Sequence, residues 1–171
     1  MANYSQGLAK VELAPLAGDG GLGTAFTELG STSIGSMSIA NEQGETTDIF
    51  VEEKTDPVIS NRTSGAMRVN WEILDVAPDT LVKLFGGTKT GTGTIADPYV
   101  YTLPDKIEAK DWTVRLTDST GIKLLFARLN VFPAFNWVMT KADAGKVTLS
   151  GTVLTPTKAG VKAMTITYPG S

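Results

Sequence analysis

Between Gly65 and Gly87 the spacing of apolar residues changes period, and that change limits what the chain can become. Met67, Val69, Trp71 and Ile73 alternate with Arg68, Asn70 and Glu72. A period of two belongs to a strand with one dry face and one wet face. From Pro78 the period lengthens. Pro78 suits a first helical position, because the N–H it lacks would have no intrahelical partner there. Asp79 places negative charge in the first turn, where the helix dipole favours it. Leu81, Leu84 and Phe85 share one helical face, and Gly86-Gly87 supplies a stop. The reading is one strand running into a short helix at about residues 78–85, too short to persist alone and so obliged to dock on a sheet.

The rest of the chain reads as strands and turns. Residues 7–14 give a short first strand. Residues 15–30 form a glycine-rich loop, expected to be ordered against a neighbouring subunit. Ser33–Ala40 reads as a strand with a bulge at Gly35, and Thr46–Glu53 as its returning partner across a turn at 41–45. Residues 88–94 read as a polar loop and 99–103 as a short strand. Trp112, Val114 and Leu116 alternate within a longer strand at 107–117. Asp118–Gly121 is a turn, followed by a strand over Ile122–Phe132 that Pro133 is expected to end. A second turn is read at 142–145, with strands at 147–154 and 164–168. This pattern predicts a mainly β protein: an antiparallel sandwich or barrel-like pair of sheets with one flanking helix, in one domain spanning 1–171.

Composition excludes several chemistries. The 171 residues hold no cysteine and no histidine. Disulfide scaffolds, thiolate metal sites and triads built on His or Cys are therefore out. A net charge of -3 argues against holding nucleic acid by phosphate neutralisation. No apolar run reaches the length of a membrane span, and the N-terminus lacks the pattern of a secretory signal, so synthesis in the cytoplasm is expected.

The candidate motifs each have a plainer reading. Gly18, Gly20 and Gly23 fit G-x-G-x-x-G, but the following residues show no helix period, so a glycine loop is preferred to a dinucleotide site. Glu42, Glu45, Asp48, Glu52, Glu53 and Asp56 cluster on and just beyond the expected hairpin, against Lys54 alone. A carboxylate pair can serve glycoside chemistry, yet a solvated acidic hairpin is the commoner case, and calcium-loop spacing is absent. Trp71 and Trp112 sit in phase with apolar faces and are expected in the core. Phe132, Phe135 and Trp137 crowd around a proline and read as a corner of the core or a patch covered on assembly.

Three segments together resemble the major tail tube proteins of long-tailed bacteriophages: MRVNWEILDVAPDTLVKLFGG (67–87), DWTVRLTDSTGIKLLFARLNVF (111–132) and KADAGKVTLSGTVLTP (141–156). The N-terminal segment from Glu12 to Ser36 is similar to theirs as well. The resemblance implies the tail tube fold, shared with the tubes of contractile tails and type VI secretion systems. It implies a structural virion protein: six copies form a ring, and rings stack into a tube that conducts DNA. The implied partners are further copies of the chain, a tape-measure protein, and the tail tip and tail terminator proteins. DNA would pass without specific binding, and no cofactor, metal or catalytic residue is implied. On this reading Glu42, Glu45, Asp48, Glu52, Glu53, Arg68, Asn70 and Glu72 line the lumen or meet the next ring, and Phe132, Phe135 and Trp137 form an assembly surface. The alternative is a non-catalytic β-sandwich module binding sugar or a surface, which predicts a monomer with exposed tryptophan. An enzyme ranks third, since no spacing singles out a nucleophile or a carboxylate pair.

Overall fold

The computed structural model describes residues 5–138 and 145–170; of the turn expected at 142–145, residues 142–144 lie outside them. Strands take 44% of the chain and helix 5%, with antiparallel sheets, so the fold class is the one the alternation predicted. In chain order the elements are β1 (Leu8–Pro15), β2 (Thr27–Glu28), β3 (Ser38–Asn41), β4 (Thr46–Ile49), β5 (Ile59–Arg62), β6 (Met67–Ile73), α1 (Pro78–Phe85), β7 (Thr88–Thr90), β8 (Val100–Thr102), β9 (Lys110–Asp118), β10 (Lys123–Asn136), β11 (Lys146–Val153) and β12 (Met164–Thr167).

The main sheet runs β2-β1-β9-β10-β11-β6-β3, with β12 also on β10, while β4–β5 and β7–β8 are separate two-stranded ribbons. One segment joins its two ends. The N–H of Leu29 donates to Val11 O (3.0 Å), the N–H of Leu74 to Ser31 O (2.9 Å), and the N–H of Ser33 to Glu72 O (2.8 Å). Residues 27–33 thus pass from β1 to the side of β6 opposite β11, next to β3, and the sheet curls into a barrel-like ring. β10 supplies the bend. Its register shifts between Phe126 and Leu129, and there it changes partner from β12 to β11. Such bulges increase local twist.

The inside is one apolar cluster. Val69, Trp71 and Ile73 of β6 meet Val11 and Leu13 of β1, Val114 of β9, Leu129 of β10 and Leu149 of β11, all with at most 1% of their surface exposed. Leu81, Leu84 and Phe85 bring α1 into the same cluster. Asp75 braces the helix start, accepting from the Ala77 N–H (2.9 Å) and the Thr80 hydroxyl (3.0 Å). At the other end Gly86 holds φ +83, as the expected stop requires. Trp71 Nε1 is buried without an acceptor among the described residues.

Four expectations need correction. First, of the 33–40 stretch only residues 38–40 are strand, at the start of β3. Gly35 sits at φ +74 in a turn closed by the Ser36 N–H on Ser33 O (3.2 Å), so there is no bulge. Second, β4 returns against β5 and not against β3. Third, β10 runs through Pro133 to Asn136. β9 ends at Lys110, opposite Val131, so Pro133 faces no partner on that side and its missing N–H breaks no ladder bond. Fourth, contacts within the chain hold the glycine-rich loop. The Gly23 N–H donates to Thr113 Oγ1 (2.8 Å), Lys158 pairs with Asp19 (2.6 Å), and the Arg115 guanidinium lies 4.1 Å from the Phe26 ring centroid. Gly23 is required there, because a Cβ would sit 2.1 Å from Pro15 O. No helix follows this loop, and the dinucleotide reading falls with it.

Two buried carboxylates tie the barrel to pH. Glu12, 7% exposed, accepts from Arg115 (2.7 Å) and pairs with Lys10 (3.0 Å). The Arg115 hydrogen bond is the main cause that lowers its pKa from 4.5 to about 2. Burial pushes the Asp118 carboxyl up, but hydrogen bonds from Thr120, Ser5 and the Ile122 N–H outweigh it and hold it at about 2. A carboxylate depressed in the folded state contributes stability that is present above its unfolded pKa and lost as pH falls through the folded one. The urea midpoint should therefore fall between pH 4.5 and pH 2, and Glu12→Gln should flatten that slope while lowering the midpoint at pH 7. Trp71→Ala should cost about 3–5 kcal/mol in urea unfolding. Trp71→Phe should cost clearly less, because it also removes the orphaned N–H.

Candidate assembly surfaces

β3 continues into β4, and β5 into β6, so residues 38–73 make one long hairpin whose far half leaves the barrel. At the junction the Glu42 N–H donates to Ala66 O (2.8 Å) and the Thr63 N–H to Glu45 O (2.9 Å). The strands come very close here. A Cβ on Gly44 would lie 1.5 Å from Thr63 O, and one on Gly65 would lie 1.9 Å from Glu42 O. Beyond this crossing every residue of β4 and β5 is exposed. Ile49, Phe50, Val51, Val58 and Ile59 all stand in solvent, Phe50 at 58%. An isolated two-stranded ribbon is marginal in water, and a run of exposed apolar side chains marks a surface that something covers. Sequence reading found the acid on this arm but missed its apolar residues, because it assigned the wrong partner strand.

The acidic candidates divide between two places. Glu45, Asp48, Glu52 and Glu53 lie on the arm, where Asp56 joins them against Lys54 and Arg62. Glu42 lies at its base and pairs with Arg68 (2.5 Å), which raises the Arg68 pKa through that hydrogen bond. Arg68, Asn70 and Glu72 lie together on the wet face of β6, as expected. The ladders continue that face across neighbouring strands. Ser38, Asn70, Ser150 and Phe132 form one row, and Ala40, Arg68, Thr152 and Asn130 the next.

Charge on this face is compensated. Arg68 also donates to Thr152 Oγ1 (3.1 Å), Lys146 stands 3.8 Å from Glu72, and Arg128 pairs with Asp111 (2.7 Å). The result is a broad, shallow surface of small polar side chains with carboxylates and cations in pairs.

The aromatic candidates do not form one patch. Successive residues of a strand point to opposite faces, so Phe132 joins the wet face while Phe135 turns to the other. Phe135 stacks on Phe85 of α1 (centroids 4.1 Å, planes 5° apart), and Trp137 lies 6.3 Å beyond at 59°. Phe135, Trp137 and Val138 remain substantially exposed, at 38%, 48% and 38%. Trp112 is half-buried and packs against the core cluster, less enclosed than Trp71.

Among the described residues no group of three or more His, Cys, Asp or Glu stands together to hold a metal ion, and no helix is long and apolar enough to cross a membrane. A groove of about 760 Å³ opens beside β1 and β3, lined by Val11, Met37, Ile39, Leu116 and Leu124 among others. Neither a protein-family model nor a curated protein matches the chain.

The arm contributes little to the barrel's own stability. Replacing residues 43–64 with a two-residue Asn-Gly turn should leave urea unfolding of the barrel within about 1 kcal/mol of the parent, with the far-ultraviolet dichroism still that of a β protein.

Proposed function

We propose that this chain is a structural virion protein, the major tube subunit of a long bacteriophage tail. Six copies form a ring, and the rings stack into the conduit for DNA. The observation that carries the reading is the arm: five large apolar residues on a ribbon that the single chain leaves uncovered. A ribbon of this kind makes sense in a subunit whose neighbours cover it. The open edge of β3, at the end of the sheet path, supports the same reading, since unpaired edges are satisfied when copies close into a ring.

In this proposal the wet face of β3, β6, β11 and β10 lines the lumen, with Arg68, Asn70 and Glu72 near its middle. Small polar side chains and paired charges leave passing DNA little to grip. Strong phosphate binding needs a net excess of cations to release counterions, and here Arg68 and Arg128 are occupied by Glu42 and Asp111. The acidic arm then serves contacts between subunits and not the lumen wall. Besides further copies of itself, the chain's partners on this reading are a tape-measure protein, the tail tip and the tail terminator. It carries out no catalysis and takes no cofactor, and it resides in the virion tail after synthesis in the host cytoplasm.

Negative-stain electron microscopy of the purified protein across a concentration series tests this reading. Rings or hollow tubes with six-fold end views are expected at high concentration. Single small particles throughout would overturn it, and a monomeric binding module would take its place.

A further inference from the structure

The arm and the Phe135 end of the barrel carry complementary chemistry. The arm is apolar at Ile49, Phe50, Val51 and Val58 and is rimmed by Glu52, Glu53 and Asp56. At the other surface Phe135, Trp137 and Val138 form an exposed apolar strip against Phe85. Two lysines mark the same end. Lys110 donates from Nζ to Lys83 O (3.1 Å) at the last turn of α1, and Lys83 Nζ reaches the Thr27 hydroxyl and stands 5.8 Å from the Trp112 ring centroid.

These lysines differ from several others in the chain. Lys10, Lys89 and Lys158 are each paired with a carboxylate. Lys83 and Lys110 have no carboxylate partner among the described residues, and partial burial lowers both of their pKa values with no opposing cause. Partly buried ammonium groups without counter-charge favour an incoming anion. Lys110 sits opposite Val131, four residues before Phe135 on the same face of β10, roughly 13 Å away at strand rise. A two-stranded ribbon with a carboxylate-bearing tip can reach across that span.

We propose that the arm of one copy docks on the Phe135–Val138 strip of a second copy, with its tip carboxylates directed to Lys83 and Lys110. This inference rests on the tube reading and names the surface that receives the arm. Because the two patches differ, the contact need not be reciprocal, and made head-to-tail, as the tube reading requires, it is heterologous. It repeats from copy to copy and builds a ring or a stack instead of stopping at a dimer.

The absence of native cysteine makes cross-linking a clean test. Phe50→Cys and Trp137→Cys variants would be prepared separately, mixed at assembling concentration and oxidised. Ile95→Cys, fully exposed at 106%, would replace Phe50→Cys in the control mixture. The docked geometry holds the first pair at high effective concentration, so mixed-disulfide dimer should exceed the control by about tenfold or more. A second arm of the test uses Glu52→Lys with Glu53→Lys, which should raise the concentration needed for assembly by about tenfold while leaving the urea midpoint unchanged. Assemblies that form without enriched Phe50–Trp137 cross-links, and that tolerate the charge reversal, would overturn the docking surface alone. A parent protein that stays monomeric at every concentration would overturn this inference and the tube reading together.

Discussion

Everything else in this molecule depends on residues 27–33 pairing with β1 on one side and β6 on the other. A sheet with one apolar face has to cover that face, and curling brings it against itself. The three backbone hydrogen bonds at Leu29, Ser33 and Leu74 fix the curl. The loop that precedes this segment is held down by Thr113, whose hydroxyl accepts from Gly23 and donates to Ala127 O (2.9 Å). One threonine therefore joins the loop to the middle of the sheet.

Closure of the barrel explains what is left outside. With residues 31–33 and β3 together filling the side of β6 opposite β11, the hairpin beyond Asn41 has no place on the sheet. It crosses itself at Gly44 and Gly65 and projects. The same sheet turns its other face outward as rows of serine, threonine and asparagine with paired charges. The chain thus separates two surface chemistries. One is broad, polar and balanced, and the other is apolar with an acidic rim.

Much of this fold was legible in the sequence wherever burial imposed a period. β6 with α1, the Asp118 turn between β9 and β10, and β11 all carry apolar residues at the spacing of their buried face. The arm was legible only in part. In β4 and β5 no residue is buried, so no face imposes alternation, and pairing between strands leaves no trace in composition. The 33–40 stretch misled because its serines and glycine fit a weak strand as well as a turn. Pro133 misled because a proline ends a strand only where its N–H is needed, and that depends on where β9 stops. The wet-face candidates Arg68, Asn70 and Glu72 followed from phase alone, whereas the pairing of Glu42 with Arg68 needed the fold.

The central claim is that the arm is uncovered in one copy and covered by another. Amide hydrogen exchange at dilute and at assembling concentrations measures this directly. Amides at 46–62 should exchange rapidly in dilute protein and become protected on assembly, while those of β6, β9 and β10 stay protected in both. Equal exchange of the arm at the two concentrations, or full protection already in the dilute protein, would contradict the account.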